Sequence, residues 1–378
     1  MNQRTYLDYN ATAPLRDEVR EAVIAALSIP GNPSSVHAEG RAARRAIEAA
    51  RTKVAALAGA RAEDVIFTSS GTEANALALG APPGEAWHCY VSAVEHPSVL
   101  LSRRVSQKAP TRFPVTSDGV ADLESLAKEL SALEETRPFV SLMAANNETG
   151  ALQPVAEASQ IVHDAGGILH TDAVQAAGRI KLDMAALGAD LLSLSAHKIG
   201  GPTGVGALML RPGASVEPLL RGGTQERRRR AGTENVSGIV GFGVAAELAL
   251  TDLANSGATA KLRDELERSV LAIVPDAVVL SAEAERLPNT TCFAVPGVKA
   301  ETIVIGLDLA GVAVSAGSAC SSGKVEASHV LSAMGISDEL ARGAIRVSLG
   351  FATTRADIKT FLKAFGELIG RLRPKVAA

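Results

Sequence analysis

Ile168-Leu-His-Thr-Asp172-Ala-Val-Gln175 and Asp190-Leu-Leu-Ser-Leu194-Ser-Ala-His-Lys198 are short apolar runs that each deliver a charged side chain at their end. Runs this short and non-alternating suit strands covered by helices on both faces. Working outward, the same kind of run recurs at Val65–Thr68, His88–Val91, Phe139–Met143 and Gly206–Leu210. Helical patterns separate them, at Ala121–Leu130, where Leu123, Leu126 and Leu130 share a face, and at Val155–Ala165. Strands alternating with helices make an α/β protein with a mostly parallel sheet.

The pattern changes near Leu248–Ala260, where Thr251–Gly257 reads as a helix end or linker. Beyond it come a charged helix from Lys261 to Val274, strands near Val278, Thr291 and Val312, a strand at Ala344–Leu349, and an amphipathic helix at Arg355–Leu372. This reads as a smaller α+β domain, with the N-terminal segment packed near it. The expected division is a large domain over 15–255 and a small one made of 1–14 and 256–378.

The 378 residues are 47% apolar and 21% charged, enough for a large core. A net charge of −3 supplies no positive field for nucleic acid or an anionic membrane. Arg227–Arg230 is too short a basic run to change that. Met1–Asp8 has no apolar signal core, and no run approaches the roughly 18 apolar residues of a transmembrane helix. Three cysteines, Cys89, Cys292 and Cys320, are an odd number without metal-ligand spacing. They argue against a disulfide framework or a metal site and for a reducing cytoplasm.

Chemistry gathers at the strand ends, where ligands bind in open α/β sheets. Burial disfavours an ammonium, so Lys198 at such an end is a candidate nucleophilic amine. With the carboxylate of Asp172 it forms the combination pyridoxal phosphate needs, an amine for the aldehyde and an acid for the pyridine nitrogen. Ser70-Gly71-Thr72 follows a strand and opens a helix, whose free N–H groups suit a phosphate. His96 ends the strand before Pro97 and is a candidate for stacking on a planar ligand; Asn146-Asn147-Glu148 repeats the arrangement. Arg346, inside an apolar strand, needs an anionic partner, either a structural carboxylate or a substrate carboxylate held in bidentate fashion. Cys89 and Cys292 sit in apolar strands as small hydrophobes, whereas Cys320 lies among serines and glycines near Lys324, where a thiolate is favoured.

These residues, with Tyr6–Pro14, Gly31–His37, Glu95-His96, His170–Gln175, Ser195–Lys198, Arg229–Asn235, Gly317–Cys320 and Ile345–Leu349, carry a resemblance along nearly the whole chain. The chain resembles the cysteine desulfurases of the nitrogenase-associated and iron–sulfur-cluster group, within the class V aminotransferases. The resemblance implies pyridoxal phosphate fold type I and a homodimer. It implies that Lys198 holds the cofactor aldehyde, Asp172 the ring nitrogen and Gln175 the ring hydroxyl, with His96 stacked on the ring. Gly71, Thr72, Ser195 and His197 would bind phosphate, joined by Thr233 from the neighbouring subunit. Asn147 and Arg346 would hold the substrate carboxylate, and Cys320 would take the sulfur.

The implied reaction converts L-cysteine to L-alanine. Lys198 removes the α-proton, His96 serves the thiols from an ordinary pKa near working pH, and Cys320 carries the sulfur as a persulfide to an acceptor. The alternatives are a selenocysteine lyase, a small-substrate aminotransferase, which needs no Cys320, and a phosphate-binding module, which leaves Lys198 and Asp172 without a role. The chain stops soon after its last helix, without the longer C-terminal extension of scaffold-binding members. The acceptor therefore stays open between an iron–sulfur scaffold, a tRNA-thiolation protein and a molybdenum-cofactor enzyme.

Overall fold

The computed structural model describes residues 4–80, 86–102, 109–317 and 328–373. In chain order the elements begin with β1 (Thr5–Tyr6), α1 (Asp17–Leu27), α2 (Ala38–Leu57), β2 (Val65–Thr68), α3 (Gly71–Ala78), β3 (Trp87–Ser92) and α4 (Pro97–Leu100). Then come β4 (Thr111–Phe113), α5 (Leu123–Ser131), β5 (Arg137–Ser141), α6 (Val155–Asp164), β6 (Ile168–Asp172), β7 (Leu191–Ser195) and β8 (Gly206–Leu210). The chain continues through α7 (Val236–Asp252), α8 (Ser256–Ile273), β9 (Val278–Val279), β10 (Thr290–Ala294), α9 (Ala300–Leu309), β11 (Val312–Ala313) and β12 (Ser315–Ala316). It closes with α10 (His329–Ala333), α11 (Asp338–Ala341), β13 (Ala344–Ser348) and α12 (Arg355–Leu372).

A seven-stranded sheet in the order β2-β8-β7-β6-β5-β3-β4 forms the centre. β4, β3, β5, β6 and β7 are parallel, and β8 runs antiparallel to both its neighbours. Successive side chains of a strand face opposite sides, and each side has its own core. Phe67, Tyr90, Val140, Leu169 and Leu192 pack with Ile47 and Val54 of α2, Leu126 of α5, Val162 of α6 and Phe242 of α7. Ile66, Val91, Phe139, Leu191 and Leu208 pack on the other side with Leu77 of α3 and Val99 of α4. Burial on both faces explains why these strands read as unbroken apolar runs.

A second sheet, β12-β13-β10-β9, is antiparallel. Phe293 and Ile345 of this sheet share a core with Leu266 of α8, Ile303 of α9 and Phe361 and Phe365 of α12. Beside it, β1 pairs with β11 in a small two-stranded sheet, and Asp8 bridges to Ser348 of β13.

Several expectations shift. The strand expected at Phe139–Met143 ends at Ser141, because the Met143 amide donates to Glu95 Oε1 at 2.5 Å instead of joining a ladder. The helix expected from Ala121 starts at Leu123, where Asp122 caps it by accepting from Ser125 N at 3.0 Å. Of the two readings of Thr251–Gly257, the helix end holds and the linker does not: α7 stops at Asp252, and a 3-10 turn, Leu253–Asn255, joins it directly to α8. The run Val236–Ile273, with a stretch of mean hydropathy 1.5, is also long and apolar enough to cross a membrane by composition, against the expectation that none comes near. Its Ile239, Phe242, Ala245, Ala246 and Ala249 are buried in the core. A Cβ at Gly243 would lie 2.7 Å from Ala50 Cα, so α7 packs backbone-close on α2 as a core helix.

Candidate active site

Register places the functional side chains. Gly206 of β8 pairs with Thr68 at the end of β2 on one side and with Ser195 at the end of β7 on the other. The turn after β2 therefore comes beside Ser195–Lys198. A Cβ at Gly206 would lie 2.4 Å from the Ser70 carbonyl carbon, so only glycine allows this approach. The turn opens α3: Ser70 Oγ accepts from Glu73 N at 3.1 Å, and Glu73 Oε2 accepts from Ser69 N at 2.7 Å, a reciprocal cap that orders the turn.

A cavity of about 310 Å³ lies at these strand ends. It brings together Gly71, Thr72, His96, Asn147, Asp172, Gln175, Ser195, His197, Lys198 and Arg346, ten of the residues expected at the site. Thr233 is not among them. It is exposed and lines a separate cavity with Thr68, Gly204 and Arg230. Cys320 lies outside the described residues; the described chain on either side of it stops at Gly317 and resumes at Ser328. Gly317 lines a neighbouring cavity of about 450 Å³, which shares Asn147 and Arg346 with the first.

Lys198 follows β7 in a 3-10 turn, and its Nζ donates to the carbonyls of Asn10 at 2.6 Å and Ala11 at 2.7 Å. Burial, then the charges of Arg179 and Arg346, push its pKa down to about 7, against the opposing pull of Asp172 and Asp8. Asp172 ends β6; Oδ2 accepts from Asn75 Nδ2 at 2.7 Å and Oδ1 from Val174 N at 3.0 Å. Gln175 Nε2 donates to Asn10 O at 3.0 Å.

His96 caps α4, and its Nδ1 accepts from Ser98 N at 3.1 Å, which leaves the proton of the neutral ring on Nε2. The expectation of an ordinary pKa is corrected here: burial lowers it, outweighing Asp172, so the imidazole is held neutral. His197, bonded to Thr12 Oγ1 at 3.2 Å, is pushed down to about 4 by burial and by Lys198.

Arg346 has both kinds of environment at once. Nη2 pairs with Asp8 Oδ1 at 2.8 Å, Nη1 donates to Asn147 O at 3.0 Å, and the buried Nε has no partner. Glu148, next to Asn147, is fully buried and raised to about 7 by that burial, with Ser328 Oγ donating to it at 2.5 Å.

The arrangement fits pyridoxal phosphate. An amine of depressed pKa shares one cavity with a carboxylate and the amino end of α3. A Cβ at Gly71 would press on Val174 Cγ2 at 3.1 Å and Ser195 Cβ at 3.2 Å, so the turn has no room for a larger residue beside the cavity. Among the described residues, the buried Nε of Arg346 and Oδ1 of Asn75 lack partners, as expected of groups that await a ligand.

Sequence reasoning missed Asn10, Asn75, Ser98 and Arg179. Asn10 is 1% exposed and ties the two sheets together. Its Nδ2 reaches Asn147 O at 3.1 Å and Thr290 Oγ1 at 3.0 Å, and its backbone carbonyl holds Lys198. Four residues after Gln175, the helical spacing of Arg179 was the one local signal that could have singled it out.

The aminotransferase class-V family model matches residues 5–361. A cysteine desulfurase of Cereibacter sphaeroides is 47% identical, covering 98% of this chain and 97% of its own length. Cysteine desulfurase IscS of Dictyoglomus turgidum is 44% identical, covering 99% and 96%. Among solved structures, the NifS-like protein of Rickettsia africae superposes with a TM-score of 0.89 at 36% identity, over 97% of this chain and 99% of that one. With an amine, a carboxylate and a helix amino end arranged in one cavity, and with full-length similarity on every side, the chain belongs to the aminotransferase class-V family, among its cysteine desulfurases.

Proposed function

We propose that this protein converts L-cysteine to L-alanine with pyridoxal phosphate and passes the sulfur on as a persulfide of Cys320. The observation that carries the reading is the Lys198 amine, depressed to about 7, in one cavity with Asp172, the start of α3 and Arg346. Bound there, pyridoxal phosphate supplies an aldehyde for amines and a ring that takes up the electrons left at the substrate carbon.

The chain's own residues do the rest. Lys198 Nζ would hold the aldehyde, and as a neutral amine it would accept the Cα proton of the substrate. Asp172, held in place by Asn75 Nδ2 and Val174 N, would pair with the ring nitrogen. The N–H groups at Gly71 and Thr72, with Ser195 and His197, receive the phosphate. Gln175 would meet the ring hydroxyl, and His96 would lie against the cofactor ring and move thiol protons through Nε2. Arg346 and Asn147, which both line the cavity, would hold the substrate carboxylate.

In the sulfur step, the Cys320 thiolate attacks the substrate sulfur. An S–S bond forms and the C–S bond breaks. The carbon fragment keeps that electron pair, takes at Cβ the proton that Cys320 gave up, regains at Cα the proton held by Lys198, and leaves as alanine. The position of Thr233, exposed and outside the cavity of its own chain, supports a homodimer in which Thr233 of the partner subunit completes the phosphate site. A free nucleophilic thiol suits a reducing compartment such as the cytoplasm. The separate core of β9, β10, β12 and β13 supports reading 1–14 with 256–378 as a small domain beside a large one of 15–255.

Cys320→Ala tests the assignment. The variant is expected to bind the cofactor and L-cysteine, with the visible spectrum responding to both, while forming neither alanine nor persulfide. Alanine formation above a few per cent of wild type would refute the role of Cys320, and a pyridoxyl label on any lysine other than Lys198 after borohydride reduction would refute that of Lys198.

A further inference from the structure

Three successive carbonyls, those of Tyr9, Asn10 and Ala11, face the ends of β6 and β7, and side chains from that direction bind all of them. Arg179 Nη2 donates to Tyr9 O at 3.3 Å, Gln175 Nε2 to Asn10 O at 3.0 Å, and Lys198 Nζ to Asn10 O and Ala11 O. Arg179 Nη1 donates to the backbone carbonyl of Gln175 at 2.7 Å and also to its side-chain Oε1. One guanidinium thus sets which way the Gln175 amide points and holds the loop on which the Lys198 amine rests.

The charge of Arg179 is as unusual as its bonds. Among the described residues every acceptor it has is neutral, and no carboxylate lies within ion-pair distance of it. Burial and the like charge of Arg346 push its own pKa down to about 9. Lys198 is faced by two carboxylates, Asp172 and Asp8, that favour its ammonium, and by Arg179 and Arg346, which oppose it. His96 and His197 face it as neutral rings. Asp8 is already engaged by Arg346 at 2.8 Å, so the charge of Arg346 is partly cancelled and that of Arg179 is not. Arg179 does not line the cavity that holds Asp172 and Arg346. It lines a second one of about 240 Å³ that shares Lys198 with the first.

We propose that Arg179 is a positioning residue for Lys198: through Gln175 and the Tyr9 carbonyl it fixes the carbonyl cradle of the free amine, and its uncompensated charge holds that amine neutral and nucleophilic. The proposal rests on the reading of Lys198 as the reactive amine. Each time substrate displaces Lys198, the amine needs a defined resting place and must not pick up a proton from water. The Asn10 and Ala11 carbonyls provide the first, and Arg179 opposes the second.

The test uses the cofactor-free protein and does not depend on turnover. Acetic anhydride labelling is followed at the Lys198 peptide by mass spectrometry from about pH 6 to about pH 10, around the range in which a perturbed lysine titrates. The wild-type midpoint is expected at about 7. Arg179→Met should raise the midpoint by about one unit or more, which is about tenfold less labelling at neutral pH. Arg179→Gln should do the same, and it keeps hydrogen-bonding capacity should the methionine variant fail to fold. Arg179→Lys retains the charge and should leave the midpoint near wild type. A folded Met or Gln variant with an unmoved midpoint overturns the proposal, and so does a Lys variant that shifts as far as the Met variant. Borohydride mapping of the wild-type holoenzyme separates this from the functional reading: a label on another lysine defeats that reading, while the acetylation midpoints still report on Arg179.

Discussion

Arg51 and Arg179 are both drawn into the protein, one beneath β2 and the other behind Lys198, and they meet opposite surroundings. Arg51 forms two parallel bonds to Glu226, at 2.7 and 2.8 Å, and Glu226 also accepts from Phe67 N at 3.0 Å. Burial pulls the Arg51 guanidinium down, but the hydrogen bonds and charge of Glu226 outweigh it, and its pKa ends up raised. Arg179 has only neutral acceptors, and its pKa falls to about 9. A cation that is matched locally holds structure together and has little field left to act elsewhere. An unmatched one acts on its neighbours, and here the neighbour is the amine of Lys198.

The matched pair also holds a strained turn. Glu226, Arg227 and Arg228 have φ of 44°, 55° and 65°, a left-handed run without glycine. Such residues cost roughly 1–2 kcal/mol each and persist only where their surroundings hold them. The carboxylate of Glu226, clamped by Arg51 and Phe67 N, supplies that hold at the head of the segment leading to Thr233.

Lys198→Ala should separate the two regions most widely. Turnover is expected to fall at least about a thousandfold, since both the aldehyde-binding amine and the base are lost. Stability of the cofactor-free protein should not fall. The pKa of Lys198 is about 7 in the folded chain against an ordinary 10.5. The unfolded chain therefore binds the extra proton between those values, and wild-type stability climbs with pH across that window. Denaturant titrations at several pH values should show the climb in the wild type and a flatter curve in the variant.

Glu226→Gln should do the reverse. It leaves the buried Arg51 with Glu48, 3.2 Å from its Nε, as its remaining carboxylate, which costs about 1–3 kcal/mol. The readout is a lower urea midpoint, with an unchanged Lys198 labelling profile; a loss under about 1 kcal/mol would undo the contrast drawn with Arg179.

Glu148 tests the same rule on a carboxyl. It is raised to about 7 from 4.5, so the folded protein keeps a proton that the unfolded chain releases, and stability is lost as pH rises through that window. Glu148→Gln should be more stable than wild type at about pH 8, by on the order of 1–2 kcal/mol after the cost of burying an amide, and should lose the advantage near pH 4.5.

The smallest effect is expected for Arg228→Gly at φ 65°. Relief of left-handed strain, partly offset by the greater freedom of glycine in the unfolded chain, should stabilise by a few tenths to about 1 kcal/mol. A destabilised variant would show that the Arg228 side chain, and not the Glu226 clamp, holds the turn.

What local order governs was legible in the residues. Gly206–Leu210 and Arg355–Leu372 fall where apolar pattern and end signals put them, because burial on two faces or on one stripe writes itself into neighbouring residues. Lys198 and Asp172 were legible for a related reason: a charge at the end of an apolar strand is out of place unless it has work to do. Partners distant in the chain were not. Glu226 lies 175 residues from Arg51, Asn10 lies 188 from Lys198, and Asp8 lies 338 from Arg346, so no periodicity links them. Burial at a strand end already argued for a depressed Lys198, but the neutral state of His96 and the charges of Arg179 and Arg346 that act on Lys198 depend on what the assembled fold leaves around each ring and amine. The sequence by itself determined which groups stand at the strand ends, because strand burial is a local property. Only the tertiary structure decided which charges are matched and which are left to act, because electrostatic compensation depends on distances that exist only once the chain has closed on itself.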